Sequence, residues 1–304
     1  MFKKLTLIVA GISLLAGCGG GGGSTASAPP SYVGSTNQAT ITTSNAKALS
    51  SDAYTGSQLT AAASGAGKVT ADMSGQSALL QETAGILENS VATIIAKHNS
   101  AAKLAAATAQ DIKNGYNGSI SYTITYDQNT GSFTGTITFS QYQDSSTSAV
   151  LTGSMSISGV YNKTAGTFTS MNISVNSLTG TYNGKSYTLT GTMAFSISGA
   201  TKTVTMSVVL VDNVSGRTYW IKDFTLTLAG NSLTVTGTYY DPVHGYVVIS
   251  TVIPLTVSTI DAAPIAGQLL FSGSNGTKVR LTFSNGGSIV EADTSGSGTY
   301  AVVP

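Results

Sequence analysis

The feature that most constrains the fold of this 304-residue chain is an apolar/polar alternation with a period of two, which begins near residue 116 and continues to the end. Ile120 and Tyr122, for example, alternate with Ser and Thr. Because successive side chains of a strand point to opposite faces, the pattern is typical of strands with one buried face and one Ser/Thr face. Turn dipeptides such as Asn183-Gly184 favour antiparallel hairpins between them. We predict about a dozen antiparallel strands over 116–304.

Four glycines interrupt the apolar face at the same phase of the alternation. Gly135, Gly153, Gly191 and Gly237 stand where a large apolar residue belongs. Glycine inside a strand often marks a bend or a close backbone approach. We therefore expect one large, strongly curved antiparallel sheet, in a mainly β (α+β) fold. A closed β-barrel or a two-layer β-sandwich is the alternative.

The segment 71–115 has a different period. Between residues 74 and 113, apolar residues such as Leu80, Leu87 and Ile94 are separated by threes and fours, and alanine predominates in the second half. This spacing predicts one long amphipathic helix, which we expect to pack on the concave side of the sheet.

Residues 18–70 have the composition of a spacer. Gly, Ser, Thr, Ala and Asn dominate, and the apolar residues Val33, Ile41 and Leu49 are isolated. Such a chain buries too little apolar surface to order itself, so we expect a flexible tether.

The first residues have the parts of a secretory signal. Lys3 and Lys4 precede an apolar run, from Leu5 to Leu15, that is too short to span a bilayer. The tetrapeptide Leu15-Ala16-Gly17-Cys18 follows and resembles the bacterial lipobox. An ordinary secretory signal with an incidental cysteine is the alternative.

The lipobox resemblance implies that residues 1–17 are a lipoprotein signal peptide. In that family the cysteine thiol, here that of Cys18, receives a diacylglycerol, the signal is cut just before it, and the new amino group is acylated with a fatty acid such as palmitate. An Asp directly after the cysteine tends to retain such proteins in the inner membrane, whereas this chain has Gly19. We therefore expect a lipid anchor in the outer membrane of the cell envelope, on its periplasmic or its surface face.

The composition narrows the functional classes. The net charge is +1 and charged residues are 9 %, which disfavours a nucleic-acid partner because such a partner needs a basic patch. The chain has one cysteine, so with Cys18 lipidated we expect no disulfide. No P-loop, G-x-G-x-x-G or HExxH motif is present. We predict no cofactor, no metal and no enzymatic activity.

Two short stretches are candidate sites. Tyr219 and Trp220, the latter the sole tryptophan, lie among charged residues and are candidates for a sugar- or peptide-binding anchor. Asp241 and His244 are candidates for an acid/base pair or half a metal site, although Asp241-Pro242 also reads as the start of a turn. A third stretch, 291–300, has the spacing of a degraded calcium loop in which serines replace the acidic ligands.

The strand region resembles the glycine-tethered β lipoproteins of anaerobic proteobacteria. The likeness lies in 218–224, 240–246 and 276–281, and it brings no catalytic residue with it. A helix on a curved sheet is also similar in shape to the half-barrel periplasmic lipoprotein carriers, without a shared motif.

We expect a non-enzymatic binding or structural module, whose partner is an apolar ligand on the concave sheet face or an envelope protein. The alternatives are a transmembrane β-barrel and a hydrolase that uses Asp241 and His244.

Overall fold

The computed structural model describes residues 31–63 and 106–304, apart from short gaps at 147, 163, 165–166, 183, 259–263 and 285–286. This part of the chain contains one α-helix and fourteen strands. The helix α1 is Ala46–Ala63, and a short 3-10 helix is Ser274–Gly276. The strands are β1 (Ala106–Asn114), β2 (Asn117–Asp127), β3 (Ser132–Gln143), β4 (Val150–Asn162), β5 (Thr167–Tyr182), β6 (Lys185–Ser198), β7 (Thr201–Asp212), β8 (Thr218–Ala229), β9 (Ser232–Asp241), β10 (Gly245–Val257), β11 (Pro264–Ser272), β12 (Lys278–Ser284), β13 (Gly287–Asp293) and β14 (Ala301–Val302).

All fourteen strands belong to one antiparallel sheet in which each strand pairs with the next along the chain. Within the described ranges, β1 and β14 remain the two edges of this sheet, so it is not closed. The prediction of a mainly β, antiparallel fold is therefore confirmed. The alternatives of a closed barrel and a two-layer sandwich are wrong for this part of the chain.

One face of the sheet forms the core, because its apolar residues recur at every second position as the alternation predicts. On β2, the buried residues are Ile120, Tyr122, Ile124 and Tyr126. Equivalent positions are buried on the strands that follow, and they include Phe133, Ile137, Met155, Ile173, Leu189, Met206, Phe224, Val235, Ile249, Phe271 and Leu281. The opposite face carries mainly Ser and Thr.

The glycines of the apolar face allow neighbouring strands to approach closely. Gly191 has a φ of 139°, and a Cβ there would lie 2.3 Å from the Ser207 carbonyl oxygen of β7. At Gly237, with a φ of 148°, a Cβ would lie 2.5 Å from the Phe224 ring. Pairing shifts register beside both glycines, between Val175 and Leu178 and in the β8–β9 pair. The close backbone approach expected at these positions is confirmed, and such irregularities bend strands.

The prediction of a long helix over 71–115 is wrong at its C-terminal end. Residues 106–114 form the edge strand β1, in which Ala107 pairs with Tyr126 and Ala109 with Ile124. Alanine favours a helix but is also tolerated in an edge strand. Pairing with β1 gives hydrogen-bond partners to backbone groups of β2 that would otherwise be unpaired. Residues 71–105 of the predicted helix lie outside the described part of the chain.

The prediction of a flexible tether over 18–70 is wrong for residues 31–63. Residues 32–45, which we call the strap, cross one end of the sheet from β8 to β12. Ser35 N donates to Pro242 O (3.1 Å), Ala39 N to Tyr246 O (2.8 Å), and Ser274 N to Ala39 O (2.8 Å). The strap orders because its small residues let backbone groups pair with the strand ends.

The helix α1 follows the strap and packs against the core. Ala46, Leu49 and Ala53 are buried at a spacing of three and four, which places them on one helix face. The ring of Tyr54 lies 5.0 Å from that of Phe283. Contacts of α1 reach β7, β8 and β9 on one flank and β12 and β13 on the other. The sheet therefore curves around α1, which is the only α-helix in the described residues and starts 25 residues before the predicted one.

Candidate functional site

A cavity of about 630 Å³ lies against the middle of β4–β8. Each of the five strands contributes three successive residues, and the central one belongs to the apolar face. These central residues are Ile157, Ile173, Met193, Met206 and Phe224, which are paired across the strands in one row. Ligand pockets in proteins typically span about 300–1,000 Å³ and are mostly apolar. The volume is therefore suited to a small ligand, and the lining combines these five apolar residues with ten flanking residues that are mainly Ser and Thr.

Met193 differs from the other residues of this row in its burial. Its four row neighbours are buried, whereas Met193 is half-buried and packs against the core cluster. A flexible thioether adapts to irregular contacts. Met193 is thus the central side chain that an occupant of the cavity is best placed to contact.

A second feature is an aromatic cluster on the face opposite the core. Trp220 of β8 stacks on Tyr240 of β9, with ring centres 4.7 Å apart and planes at 27°. Tyr246 of β10 packs on Tyr240 at 5.1 Å, and Tyr32 of the strap contacts both Trp220 (5.9 Å) and Tyr240 (5.5 Å). Lys222 Nζ lies 5.0 Å from the centre of the Trp220 ring. The sole tryptophan therefore anchors the protein's own strap.

Tyr219 and Trp220 do not form one site. Tyr219 packs against the core cluster, whereas the next residue, Trp220, points to the other face because strand side chains alternate. The sequence reasoning missed Tyr32, Tyr240 and Tyr246. The hairpin turn at 241–245 pairs Tyr240 with Tyr246, so the alternation and this turn were the available signal for two of the three.

Backbone hydrogen bonds occupy the carboxylate of Asp241. Its Oδ1 accepts from the backbone N–H groups of Val243 and His244, each at 2.8 Å. The His244 side chain is exposed, and no hydrogen bond from its imidazole is found in the described part of the structure. The turn interpretation of Asp241-Pro242 is therefore confirmed, and the geometry does not bring Asp241 and His244 together as an acid/base pair.

The Asp241 backbone also holds the strap. The Tyr32 hydroxyl donates to the carbonyl oxygens of Ser35 (3.0 Å) and Asp241 (3.1 Å). Burial raises the pKa of Tyr32 to about 12, and electrostatic interactions with Asp241 and then Tyr240 contribute in the same direction. The phenol therefore stays protonated and keeps donating at physiological pH.

Asp52 of α1 is a carboxylate that the sequence reasoning did not single out. Burial, and to a lesser extent the charge of Asp241, raises its pKa to about 6. Tyr239 of β9 is buried nearby, and its pKa is raised well above the usual value by burial and by Asp52 and Asp241. Since no ion pair or hydrogen bond to Asp52 is found in the described residues, its charge is poorly compensated where α1 meets the sheet.

The 291–300 loop is closed around Asp293. Oδ1 accepts from the backbone N–H groups of Ser295, Gly296 and Ser297 at 2.8–3.2 Å, and Oδ2 accepts from Gly298 N at 2.7 Å. Although burial opposes ionisation, these donors lower the pKa of Asp293. The carboxylate organises the loop by itself, as the serines in place of acidic ligands suggested.

The remaining features to locate are the predicted lipid-attachment residue, any group of metal ligands and any membrane-spanning helix. Cys18 lies outside the described residues. In the part of the chain that the structure describes, no three His, Cys, Asp or Glu side chains lie close enough to hold a metal ion. No helix among the same residues is long and apolar enough to cross a membrane.

Comparisons with known proteins add no relative. Searches of protein-family profiles, of curated proteins and of solved structures each found no match to this chain.

Proposed function

We propose that the protein is a lipid-anchored lipoprotein of the outer membrane, whose sheet binds an apolar ligand without catalysing a reaction. The anchor is Cys18, on the strength of the Leu15-Ala16-Gly17-Cys18 sequence. The observation that carries the binding role is the 630 Å³ cavity against β4–β8. Met193, the one half-buried side chain of the apolar row, offers surface to a hydrocarbon chain, whose removal from water drives binding.

Extraction of the purified protein tests the binding role. The full chain carrying Cys18→Ala is expressed so that no attached lipid contributes, and bound molecules are extracted and identified by mass spectrometry. We expect a lipid or another apolar molecule in stoichiometric amount. A protein that purifies empty and takes up no fluorescent fatty acid in titration contradicts the proposal.

A pair of tryptophan variants locates the ligand. Met193→Trp fills the cavity, and we expect it to weaken fatty-acid binding at least tenfold. Ile197→Trp is the matched control, because Ile197 lies on the same strand and the same face but does not line the cavity. Equal affinities for the two variants, both folded by circular dichroism, would place the ligand elsewhere.

Metabolic labelling tests the anchor separately. Cells expressing the chain are fed an alkyne-bearing palmitate, and the label is expected on the wild-type protein but not on Cys18→Ala. Fractionation then assigns the labelled protein to the outer or the inner membrane.

A further inference from the structure

Three exposed valines lie together at the end of the sheet that the strap crosses. Val33 is 72 % exposed, Val214 in the β7–β8 turn 74 %, and Val243 in the β9–β10 turn 59 %. An apolar side chain exposed to this degree gains free energy from any apolar surface that covers it. We call these three residues the valine rim.

Backbone contacts make the rim one patch. The hydroxyl of Thr218, the first residue of β8, accepts from Val33 N (2.8 Å) and donates to Val33 O. Ser35 N donates to Pro242 O, directly before Val243. The strap residue Val33 therefore lies between the two turns that carry the other valines.

The described turns at the opposite end of the sheet differ in composition, although the strand residues Ile265 and Ile289 near that end are 38 % and 51 % exposed. These turns, 128–131, 199–200 and 230–231, carry Gln, Asn, Thr, Gly and Ala and expose no large apolar side chain. At the rim end, Tyr116 in the β1–β2 turn is 70 % exposed as well. Among the turns that the structure describes, the exposed large apolar side chains therefore lie at the rim end.

Exposed cations flank the rim. Arg217 directly precedes β8 and Lys185 begins β6, both at the same end and both exposed. The nearby carboxylates of Asp212 and Asp241 accept hydrogen bonds from their own turns, including Val214 N (2.9 Å) and Val243 N (2.8 Å). Asp212 also interacts electrostatically with Lys185, so the two cations and two carboxylates balance, and the attraction of this end to a bilayer depends on its apolar side chains.

The course of the chain points to the same surface. Twelve residues, 19–30, separate Cys18 from Ser31, the first described residue, which directly precedes the strap. A chain of thirteen residue steps spans at most about 45 Å when fully extended. A lipid on Cys18 would therefore tether the chain to the bilayer at the rim end, which is where the strap enters the fold.

We propose that the valine rim rests on the phospholipid surface that holds the anchor, so that the sheet stands end-on on the membrane. This inference depends on the proposed lipidation of Cys18. It adds an orientation and a membrane contact made by the folded protein itself.

The single cysteine of the chain allows a direct test. Once Cys18 is acylated, a cysteine introduced elsewhere is the only free thiol. Val243→Cys at the rim and Ala200→Cys in a turn at the opposite end are made in the full chain, purified in lipidated form and labelled with a nitrobenzoxadiazole fluorophore. The proteins are reconstituted into vesicles of phosphatidylethanolamine and phosphatidylglycerol that contain a nitroxide-labelled lipid.

We expect the nitroxide to quench the probe at position 243 at least threefold more than the probe at position 200. In the Val243→Cys chain, Val214→Ser should lower this quenching about twofold. Val252→Ser is the matched control, because Val252 is an exposed valine of β10 outside the rim, and it should leave the quenching unchanged. Circular dichroism confirms that each variant is folded.

Equal quenching at the two positions on vesicle-bound protein would overturn the docking proposal and leave the anchor intact. Failure of the protein to float with vesicles, with an unmodified Cys18 by mass spectrometry, would overturn the anchor and the docking together. The two failures are therefore distinguishable.

Discussion

The poorly compensated carboxylate of Asp52 gives a quantitative prediction for the substitution Asp52→Asn. The pKa of Asp52 rises from 3.8 to about 6 on folding, chiefly through burial. A raised carboxyl pKa means that the folded state binds the proton more tightly than the unfolded state. The folded protein therefore loses stability as the pH rises from about 4 to about 6, when Asp52 ionises at the interface between α1 and the sheet.

The magnitude follows from the size of the shift. One pKa unit corresponds to 1.36 kcal/mol, so the penalty at neutral pH is at most about 3 kcal/mol. Asparagine keeps the shape of aspartate but has no charge. We therefore expect Asp52→Asn to match the wild type at pH 3 and to exceed its free energy of unfolding by up to ~3 kcal/mol at pH 8. A domain of this size gains roughly 2–4 °C in Tm per kcal/mol.

Urea unfolding from pH 3 to pH 8 measures this difference, with both proteins in the Cys18→Ala background. Other titrating groups cancel when the two curves are subtracted. Asp223→Asn is the control for the loss of one negative charge, because Asp223 is exposed and its left-handed backbone suits asparagine. A difference between Asp52→Asn and wild type that is absent at pH 8, or the same at every pH, would refute the reasoning.

Three further predictions concern the sheet, the strap and the terminal loop. Gly191→Ala should cost roughly 3 kcal/mol or more in unfolding free energy, because its Cβ meets backbone atoms, whereas Gly184→Ala, with a φ of 73° and open space around it, should cost about 1–2 kcal/mol. Similar losses in urea unfolding would contradict the close approach. Tyr32→Ala should speed amide exchange along the strap, while Tyr32→Phe, which loses only the hydroxyl contacts, should have a smaller effect; unchanged exchange in both would mean that the cluster does not hold the strap. Asp293→Ala should remove the exchange protection of the Gly298 amide, measured by NMR, and retained protection would show that the loop closes without the carboxylate.

The strands and the glycine positions were predictable because their signal is local. Alternation along Ile120–Tyr126 requires only that one face be buried, and the phase of Gly191 in its own strand marks a close approach. The pairing order was also within reach, since short turns such as Asn183-Gly184 join sequential strands.

The strap and the end of the predicted helix were not predictable in this way. The strap contains few apolar residues, and its order depends on partners such as Asp241, which is 209 positions from Tyr32. The alanines of 106–109 fit either a helix or an edge strand, and the open edge of β2 decides the outcome. The cluster around Trp220 needed Tyr32, which comes from this same strap.

The strap also has a consequence for the order of folding. Each strand pairs with the next along the chain, so the sheet grows by short-range closures, which favour rapid folding. The strap is synthesised first, yet its partners lie at Thr218, Pro242 and Thr277. The strap therefore lacks these hydrogen-bond partners during most of translation. Completion of the fold is therefore delayed until the last third of the chain exists, and a chain truncated before Thr277 would lack the partner of Ile41.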